Sequence, residues 1–435
     1  MNNINLENVF NTTYKKLRKI KKLEIALRGG EYHLIEFEDN IIKKAQTKSD
    51  YYFSVRGVYK RNYFSFNSPI QDDLSNIIKQ KQKEKYQGIK YPFLKEVEYR
   101  DNNSLSINYE EFNNLLLIEL ISKPIFKLLK DKFIINGVIY LKKDRISPYS
   151  NDYPVLSIVN NKTLVAKHKQ NKILINLSFK NENRSLRLDK VFNNTQELEE
   201  YFNFFIKNLE EKSKLKKLKN YKIKEKEKIV FSSKAIAKIL HSFKSQLSVS
   251  DYFKNKNNIF KDKLNKRIFS HKINIQDTAY HPSLPISPFD EIGEERAIVN
   301  IFNKGYLREL TSSYHESLEF KTPLTGHSLL NKKESSPFTL YLKGSNKTLE
   351  SVLNKESNLI YIKDLTLNTP PKSLDSKLDL IIKDSSTLYK EGKALKSIEN
   401  LDISISLTDL FMKVAETTLE QEELGLITPN ILINL

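Results

Sequence analysis

Several residue types are missing or scarce in this 435-residue sequence, and each absence excludes a class of protein. There is no cysteine, which excludes disulfide scaffolds, thiolate zinc sites and cysteine nucleophiles. The longest apolar run covers residues 115–118 and stops at Glu119, whereas a membrane-spanning helix needs about 20 apolar residues. Residues 1–22 contain no apolar stretch of the kind that a signal peptide requires. We therefore expect a cytoplasmic protein with no membrane partner.

Lysine is the residue type that the sequence has in excess. The chain carries 72 basic and 53 acidic side chains, and 61 of the basic ones are lysine. Residues 1–228 hold 45 basic and 28 acidic side chains, whereas residues 229–435 hold 27 and 25. Abundant lysine, asparagine and isoleucine are typical of an AT-rich genome, so the charge by itself does not predict a phosphate-binding surface. Any basic surface is expected in the first half.

The composition and the pattern of elements predict an α+β protein of two domains, built on mostly antiparallel or mixed sheets with flanking helices. Hydrophobic residues make up 39% of the chain, which is enough to form a core. We place the boundary in the run 212–228, where nine lysines and two glutamates predict a solvated helix end or linker. Residues 1–228 form a basic N-terminal α+β domain in this interpretation, and residues 229–435 form a β-rich C-terminal domain.

Local signals place the main elements. Apolar residues at helical spacing predict helices over 6–17, 109–131 and 194–209, and one that begins at Ser232 or Ser233. Strands are predicted at 23–28 and 32–38, joined as a hairpin by Gly29–Gly30. A second hairpin is predicted at 297–310, turning at Asn303–Lys304–Gly305 because glycine permits a positive φ.

No catalytic motif stands out from the residues alone. The seven histidines include no pair one helical turn apart, so no helical zinc site is predicted. His315–Glu316 is interpreted as a surface pair. The sequence also has no G-x-S-x-G elbow and no glycine-rich phosphate loop. Neither a metal nor a cofactor is expected.

The most informative stretch runs from Ser287 to Ser328. It contains four short patterns in order, namely Pro288–Phe289–Asp290 with Gly293, Asn303–Lys304–Gly305 with Leu307, Ser313–Tyr314, and Thr325–Gly326–His327. This series resembles the TldD/PmbA family, and within it the PmbA (TldE) branch. Weaker likeness to the same family is found at 35–40, 55–57, 260–268 and 427–432.

The resemblance implies a heterodimeric intracellular peptidase. In that family the TldD-type subunit carries HExxxH on the helix that opens the second domain, and the PmbA-type subunit lacks it. The matching positions here hold His241, Ser242 and Gln246, so one imidazole is left without the glutamate base or the second histidine. The chain is therefore expected to be non-catalytic, and His241 is expected to pack or hydrogen-bond within its helix.

The resemblance also implies a partner and a site. The expected partner is a TldD-like zinc metallopeptidase subunit, with unfolded peptides as substrates, and a homodimer of this chain is the alternative assembly. Eight residues are expected to shape the peptide channel or the dimer interface: Phe289, Asp290, Gly293, Gly305, Tyr314, Thr325, Gly326 and His327. An equally weighted interpretation gives them only a structural role in the hairpin and its turns.

Two rival functions stay open at the level of sequence. The basic N-terminal half would bind nucleic acid or another polyanion in the first, which fits the family's older description as modulators of DNA gyrase. Nucleic acid is nevertheless not expected as a partner of the chain. In the lysine run 212–228, Tyr221 is the only aromatic residue and arginine is absent. The second rival is an independent hydrolase with an unrecognised site.

Overall fold

The chain adopts an α+β fold, as the sequence predicts, in a computed structural model. The structure describes residues 23–59, 62–69, 72–81, 134–145, 156–159, 170–181, 184–192, 198, 200–201, 215–223, 227–281, 290, 294–329 and 332–434. The predicted helices at 6–17 and 109–131, and most of the one at 194–209, lie outside these residues. Within them, no helix combines the length and the apolar character that crossing a bilayer requires.

The first sheet is antiparallel and draws its strands from residues 23–192. Its strands are β1 (Leu23–Glu38), β2 (Ile41–Tyr59), β3 (Asn62–Pro69), β4 (Ile134–Arg145), β5 (Leu156–Val159), β6 (Gln170–Asn181) and β7 (Arg184–Phe192). They lie in the order β3-β2-β1-β4-β6-β7, with β5 paired to β1. Alternate residues of β6, including Ile173, Ile175 and Leu177, are fully buried, as expected for a strand with one face on a core.

The prediction of a hairpin at Gly29–Gly30 is wrong. Both glycines lie inside the continuous strand β1, where they pair with Tyr51 and Asp50 of β2. The chain turns instead at Asp39–Asn40, and both residues have the positive φ that a two-residue type I′ turn needs. Asn40 Oδ1 also accepts a 2.7 Å hydrogen bond from the backbone N–H of Ile135. The neighbouring strand therefore fixes the turn, which is information that the local sequence does not carry.

The second sheet is mixed and contains the rest of the described strands. They are β8 (Lys216–Asn220), β9 (Lys228–Phe231), β10 (Ile275–Asp277), β11 (Val299–Asn303), β12 (Tyr306–Leu307), β13 (Leu340–Leu342), β14 (Leu359–Ile362), β15 (Thr366–Leu367), β16 (Lys377–Lys390), β17 (Lys393–Ser406), β18 (Val414–Glu423) and β19 (Leu426–Asn434). The order is β12-β11-β10-β13-β19-β9-β14-β16-β17-β8, with β15 on β16 and β18 on β19. The predicted hairpin at 297–310 is confirmed as β11 and β12.

Short helices cap the sheets at several points. They are α1 (Leu74–Lys81), α2 (Ser233–Phe243), α3 (Val249–Lys254), α4 (Tyr314–Phe320), α5 (Leu349–Lys355) and α6 (Leu407–Met412), and a 3₁₀ turn, Lys244–Leu247, follows α2. The helix predicted after Ser232 is confirmed as α2. The Ser232 hydroxyl caps it by accepting from the backbone N–H of Ala235.

The main core packs α2, α3 and α6 against the second sheet. A chain of buried aromatic rings runs through it from Phe243 to Phe260, Phe302, Phe269 and Phe411, with successive centroids 4.9–5.7 Å apart. Edge and tilted contacts of this kind add to the area that the rings bury. This core fixes α2 and the β11–β12 hairpin relative to each other, and both carry residues of the candidate site.

The described residues of the lysine run 212–228, namely 215–223 and 227–228, contribute strands rather than a helix end. Strand β8 pairs in parallel with β17, matching Ile398 to Leu218, and β9 pairs with both β14 and β19. Lys216, Lys217 and Lys219 are exposed, so the charges project from the edge of the sheet into water. Charged side chains on an edge strand prevent further strand pairing. The domain boundary at 228/229 stays a prediction.

Candidate functional site

Helix α2 ends where the resemblance would place a zinc motif. The Nε2 atom of His241 lies 3.0 Å from the carbonyl oxygen of Leu424. Partial burial lowers the pKa of His241, and this hydrogen bond opposes the shift. The Ser242 hydroxyl donates to the carbonyl oxygen of Ile239 at 2.6 Å. The side chains at two of the three positions thus make hydrogen bonds to backbone carbonyl oxygens.

Gln246, at the third position, links α2 to the segment that follows α3. Its Oε1 accepts from the backbone N–H of Ile259 at 2.9 Å, and its carbonyl oxygen accepts from Asn258 Nδ2 at 2.7 Å. A serine, a glutamine and one imidazole do not form the donor set of a zinc hydrolase, which also needs a base for the bound water. Across the described part of the chain, no three His, Asp or Glu side chains are grouped closely enough to hold a metal ion.

Gly305 lies in the turn between β11 and β12 and has a structural reason to be glycine. Its φ is +77°, and a Cβ added there would lie 2.0 Å from the carbonyl oxygen of Phe269. Its N–H donates to Ile273 and its carbonyl accepts from Ile268 and Phe269. Gly305 therefore joins the hairpin tip to the segment 268–273 through its backbone.

Ser313 and Tyr314 begin helix α4. The Ser313 hydroxyl accepts from the N–H of Glu316, whose carboxylate accepts in return from the N–H of Ser313 at 2.7 Å, which forms a capping box. The Glu316 carboxylate also accepts from the N–H groups of Ser250 and Ser335, at 2.8 and 3.0 Å. Glu316 is 1% exposed, so the interpretation of His315–Glu316 as a surface pair is wrong.

The Thr325–Gly326–His327 turn is also held from several sides. The Thr325 hydroxyl donates to the carbonyl oxygen of Ser312 at 3.0 Å and accepts from its N–H at 2.7 Å. Gly326 has φ +67°, and a Cβ there would lie 2.2 Å from the carbonyl oxygen of Glu295. The Nδ1 atom of His327 lies 2.8 Å from the Thr325 carbonyl oxygen. The turn can therefore be built only with glycine at its centre.

A buried carboxylate at Asp277 organises the surroundings of His327. Its Oδ1 lies 2.8 Å from His327 Nε2 and accepts from Arg296 Nη2 at 2.6 Å. Its Oδ2 accepts from the backbone N–H groups of Phe338 and Thr339 at 2.5 and 2.8 Å. Asp277 and His327 are fully buried and Arg296 is 2% exposed. Burial alone would raise the pKa of Asp277, but the His327 and Arg296 contacts and the backbone donors hold it far below its usual range.

The ring of Phe338 and the amine of Lys244 complete this cluster. Phe338 stacks on His327 with centroids 4.6 Å apart, and the Arg296 guanidinium lies 4.9 Å from the centre of the same ring. Lys244 Nζ donates to the Phe338 carbonyl oxygen at 2.8 Å. Burial lowers the pKa of Lys244, an effect that the charge of Asp277 opposes. We call Lys244, Asp277, Arg296, His327 and Phe338 the Asp277 cluster. This cluster joins the 3₁₀ turn after α2 to the Thr325–Gly326–His327 turn.

Asp290 is buried and bonded on both carboxylate oxygens. Oδ1 accepts from the N–H of Glu294 at 3.0 Å, and Oδ2 accepts from the N–H of Ser328 at 2.8 Å. The Ser328 hydroxyl in turn accepts from the N–H of Tyr314. The structure thus brings Asp290, Tyr314, Thr325, Gly326 and His327 together, with Gly305 in a separate turn. Phe289 and Gly293 lie outside the described residues.

Three residues of this region escaped the sequence reasoning, namely Asp277, Arg296 and Glu316. The signal for Glu316 was available, because Ser313-x-x-Glu316 has the spacing of a capping box. No comparable signal exists for Asp277 and Arg296. They are separated by 19 residues, and only the folded sheet brings them into contact.

Comparison with known proteins agrees with this architecture. Residues 224–435 match the model of the PmbA/TldA metallopeptidase C-terminal domain. No curated protein sequence matches the chain.

Three solved structures share the fold over nearly the whole chain. A proposed modulator of a DNA gyrase from Thermotoga maritima is 14% identical, with a TM-score of 0.76 and coverage of 98% of both chains. TldE from Thermococcus kodakarensis is 16% identical, with a TM-score of 0.73 and coverage of 99% of this chain and 98% of that one. A proposed modulator of DNA gyrase from Bacteroides thetaiotaomicron is 14% identical, with a TM-score of 0.70 and coverage of 100% and 98%.

At 14–16% identity the solved structures support the fold alone. The relationship to a family rests on the match of residues 224–435 to the domain model. The match begins before β9 and extends through β19, so it includes α2 and the Asp277 cluster. It also includes the segments around Asp290, Ser313–Tyr314 and Thr325–His327, which we call the motif turns. The resemblance noted in the sequence is confirmed: residues 224–435 belong to the TldD/PmbA family, as a metallopeptidase-type C-terminal domain.

Proposed function

We propose that the chain is a PmbA/TldE-type subunit that pairs with a TldD-like zinc metallopeptidase in the hydrolysis of unfolded peptides. The observation that carries the proposal is the end of helix α2 in a chain of this family. The positions of the zinc motif hold His241, Ser242 and Gln246, and each of the three makes a hydrogen bond that has no relation to a metal. The partner supplies the zinc and the base in this scheme.

The motif turns act as positioning elements in this proposal. Asp290 and His327 are buried and saturated with hydrogen bonds, so neither carboxylate nor imidazole is available to a peptide in this arrangement. Tyr314 and Thr325 are partly exposed on the same structure. The buried residues thus hold the start of α4 and the segment 325–328 in place, and the partly exposed ones face the channel or the partner.

A reconstitution experiment tests the pairing. A TldD-type subunit from the same organism is assayed on an unstructured fluorogenic peptide, with and without this chain. We expect hydrolysis only when both chains are present and its loss on chelation, because the metal belongs to the partner. His241→Ala in this chain is expected to leave that activity unchanged.

Other results would overturn the proposal. Hydrolysis by the partner alone at an undiminished rate would show that this chain does not complete the enzyme. Hydrolysis by this chain alone, surviving chelation, would support the independent hydrolase instead. Size-exclusion chromatography of the chain alone and of the mixture separates a homodimer from the heterodimer.

A further inference from the structure

Helices α3 and α4 present an aromatic stack at the surface of the molecule. The Phe253 and Phe320 rings lie 5.1 Å apart and only 14° from parallel. Phe253 is 44% exposed and Phe320 is partly exposed, so the stack reaches solvent. Large apolar side chains that are clustered and exposed mark interaction sites more often than single ones do.

Two lysine amines lie beside these rings. Lys254 Nζ is 5.2 Å from the centre of the Phe320 ring, and Lys261 Nζ is 6.0 Å from the centre of the Phe253 ring. The Lys261 amine is fixed there by hydrogen bonds to the carbonyl oxygens of Tyr252 and Phe253. Lys254 Nζ also forms an exposed ion pair with Glu319 Oε2 at 2.8 Å, which a bound phosphate would have to displace. We call Phe253, Lys254, Lys261 and Phe320 the aromatic–lysine surface.

The positive charge of the C-terminal half is concentrated on the segment that carries this surface. Residues 251–272 hold seven basic and two acidic side chains, whereas the rest of 229–435 holds 20 basic and 23 acidic ones. One of the two acids, Asp251, accepts hydrogen bonds from the side chains of Asn255 and Asn258. The segment is therefore a basic strip in a half that is otherwise slightly acidic.

The pairing of a ring with a cation recurs farther along the same segment. The Arg308 guanidinium lies 4.7 Å from the centre of the Tyr306 ring and donates to Asn265 Oδ1 at 3.2 Å. Arg267 pairs with Tyr306 through a backbone bridge. A second ring–cation pair, on β12 and just after it, thus lies beside residues 265–267.

We propose that the aromatic–lysine surface binds single-stranded nucleic acid. Exposed aromatic faces accept stacked bases, and adjacent lysines neutralise the phosphates that connect them. A duplex keeps its bases stacked internally and cannot use the rings in this way. The sequence did not predict nucleic acid as a partner, because the lysine run 212–228 has one ring and no arginine. The segment 251–272 differs because its lysine amines lie beside exposed rings. This proposal is independent of the pairing with a peptidase.

Binding of a fluorescein-labelled 12-nucleotide oligothymidylate to the full chain, followed by anisotropy over a series of salt concentrations, tests the proposal. We expect affinity to fall with salt, because bound phosphates release counterions. Phe253→Ala should weaken binding at least about fivefold, since a stacked base contributes roughly that much or more. Lys254→Gln should lower the slope of log K against log salt by about 0.7. Lys390→Gln, an exposed lysine next to the β16–β17 turn, is the matched control and should change little.

A second aromatic variant separates binding from folding. Phe253→Tyr keeps a stacking face and should retain the affinity, whereas Phe253→Leu keeps apolar volume and should lose it. The melting temperature of each variant is measured in parallel. Three results would overturn the proposal: no binding of the oligonucleotide, equal affinity for a duplex of the same length, or unchanged affinity in a folded Phe253→Ala variant. Preferred binding of polyglutamate would assign the surface to an acidic peptide instead.

Discussion

The motif turns and the end of helix α2 are the two regions compared with the TldD/PmbA family, and they differ in how deeply they are buried and in what they contact. In the motif turns, Asp290, Gly326 and His327 are buried and each contacts a distant part of the sequence. Asp290 accepts from the backbone N–H of Ser328, and Gly326 packs on the backbone of Glu295. His327 lies against the carboxylate of Asp277. At the end of α2, His241 and Ser242 lie at or near the surface and hydrogen-bond to backbone carbonyl oxygens. The first region therefore holds several elements of the fold together through buried contacts, whereas the second lies at the edge of the core.

The largest expected effect comes from the centre of the Asp277 cluster. Asp277→Ala removes the acceptor of two side chains and two backbone N–H groups, and it leaves Arg296 buried without this carboxylate. We expect a loss of about 3–5 kcal/mol in the free energy of unfolding, measured by urea denaturation. Asp379→Ala, at an exposed carboxylate of β16, serves as control. A loss of less than about 1 kcal/mol in the free energy of unfolding of Asp277→Ala would contradict the view that the Asp277 cluster holds several elements together.

Gly326→Ala should have the next largest effect, and Gly425→Ala is its matched control. Both glycines have positive φ, so both substitutions strain the backbone by about 1–2 kcal/mol. Only at Gly326 would the new Cβ also collide with a backbone carbonyl, since Gly425 has open space around it. Urea midpoints should therefore fall clearly further for Gly326→Ala. Equal midpoints would show that the motif turn can move aside.

Lowering the pH should reveal how much Asp277 contributes to the free energy of unfolding. Because the pKa of Asp277 is depressed in the folded state, its stabilisation is present above the unfolded pKa of about 3.9 and is lost as the pH falls below it. The unfolding free energy of the wild type should thus fall faster than that of Asp277→Asn between pH 4 and pH 2, by up to about 1.4 kcal/mol per pH unit. Parallel curves would refute a depressed pKa at this carboxylate.

The smallest effect is expected at the end of α2 and in the 3₁₀ turn that follows it. Gln246→Ala removes one hydrogen bond to the N–H of Ile259 and should lower the free energy of unfolding by about 1 kcal/mol. Ser245→Ala, at the exposed neighbouring position, is the control for the loss of a polar side chain. A loss as large as that of Asp277→Ala would remove the distinction between the two regions.

Local signals were sufficient where local contacts decide the structure. Helix α2 follows from the Ser232 cap and the apolar face behind it, and the turn at Lys304–Gly305 follows from glycine. The prediction of a hairpin at Gly29–Gly30 is wrong because a pair of glycines permits a turn but does not require one. The turn that forms at Asp39–Asn40 depends on a hydrogen bond to β4, about 95 residues away.

Several residues of the motif stretch lie together in the structure, whereas their role at a channel or an interface stays a prediction. The motif stretch identified Asp290, Thr325, Gly326 and His327, all of which meet in the structure. Their burial was not evident, because it depends on Asp277 and Arg296, which belong to separate elements. A sequence pattern records which residue types occur in order, whereas an ion pair needs distances that only the assembled sheet defines.

Strand β19 has a consequence for the time at which the second sheet can form. It hydrogen-bonds to β9, β13 and β18 and is buried along almost its whole length, yet it follows all of them in the chain. While the protein is being synthesised, the part containing β10–β13 and the part containing β9 and β14–β17 cannot be joined until residues 426–434 have left the ribosome. The apolar edges of both parts are exposed until then, so a nascent chain stalled before residue 426 should require a chaperone to stay soluble.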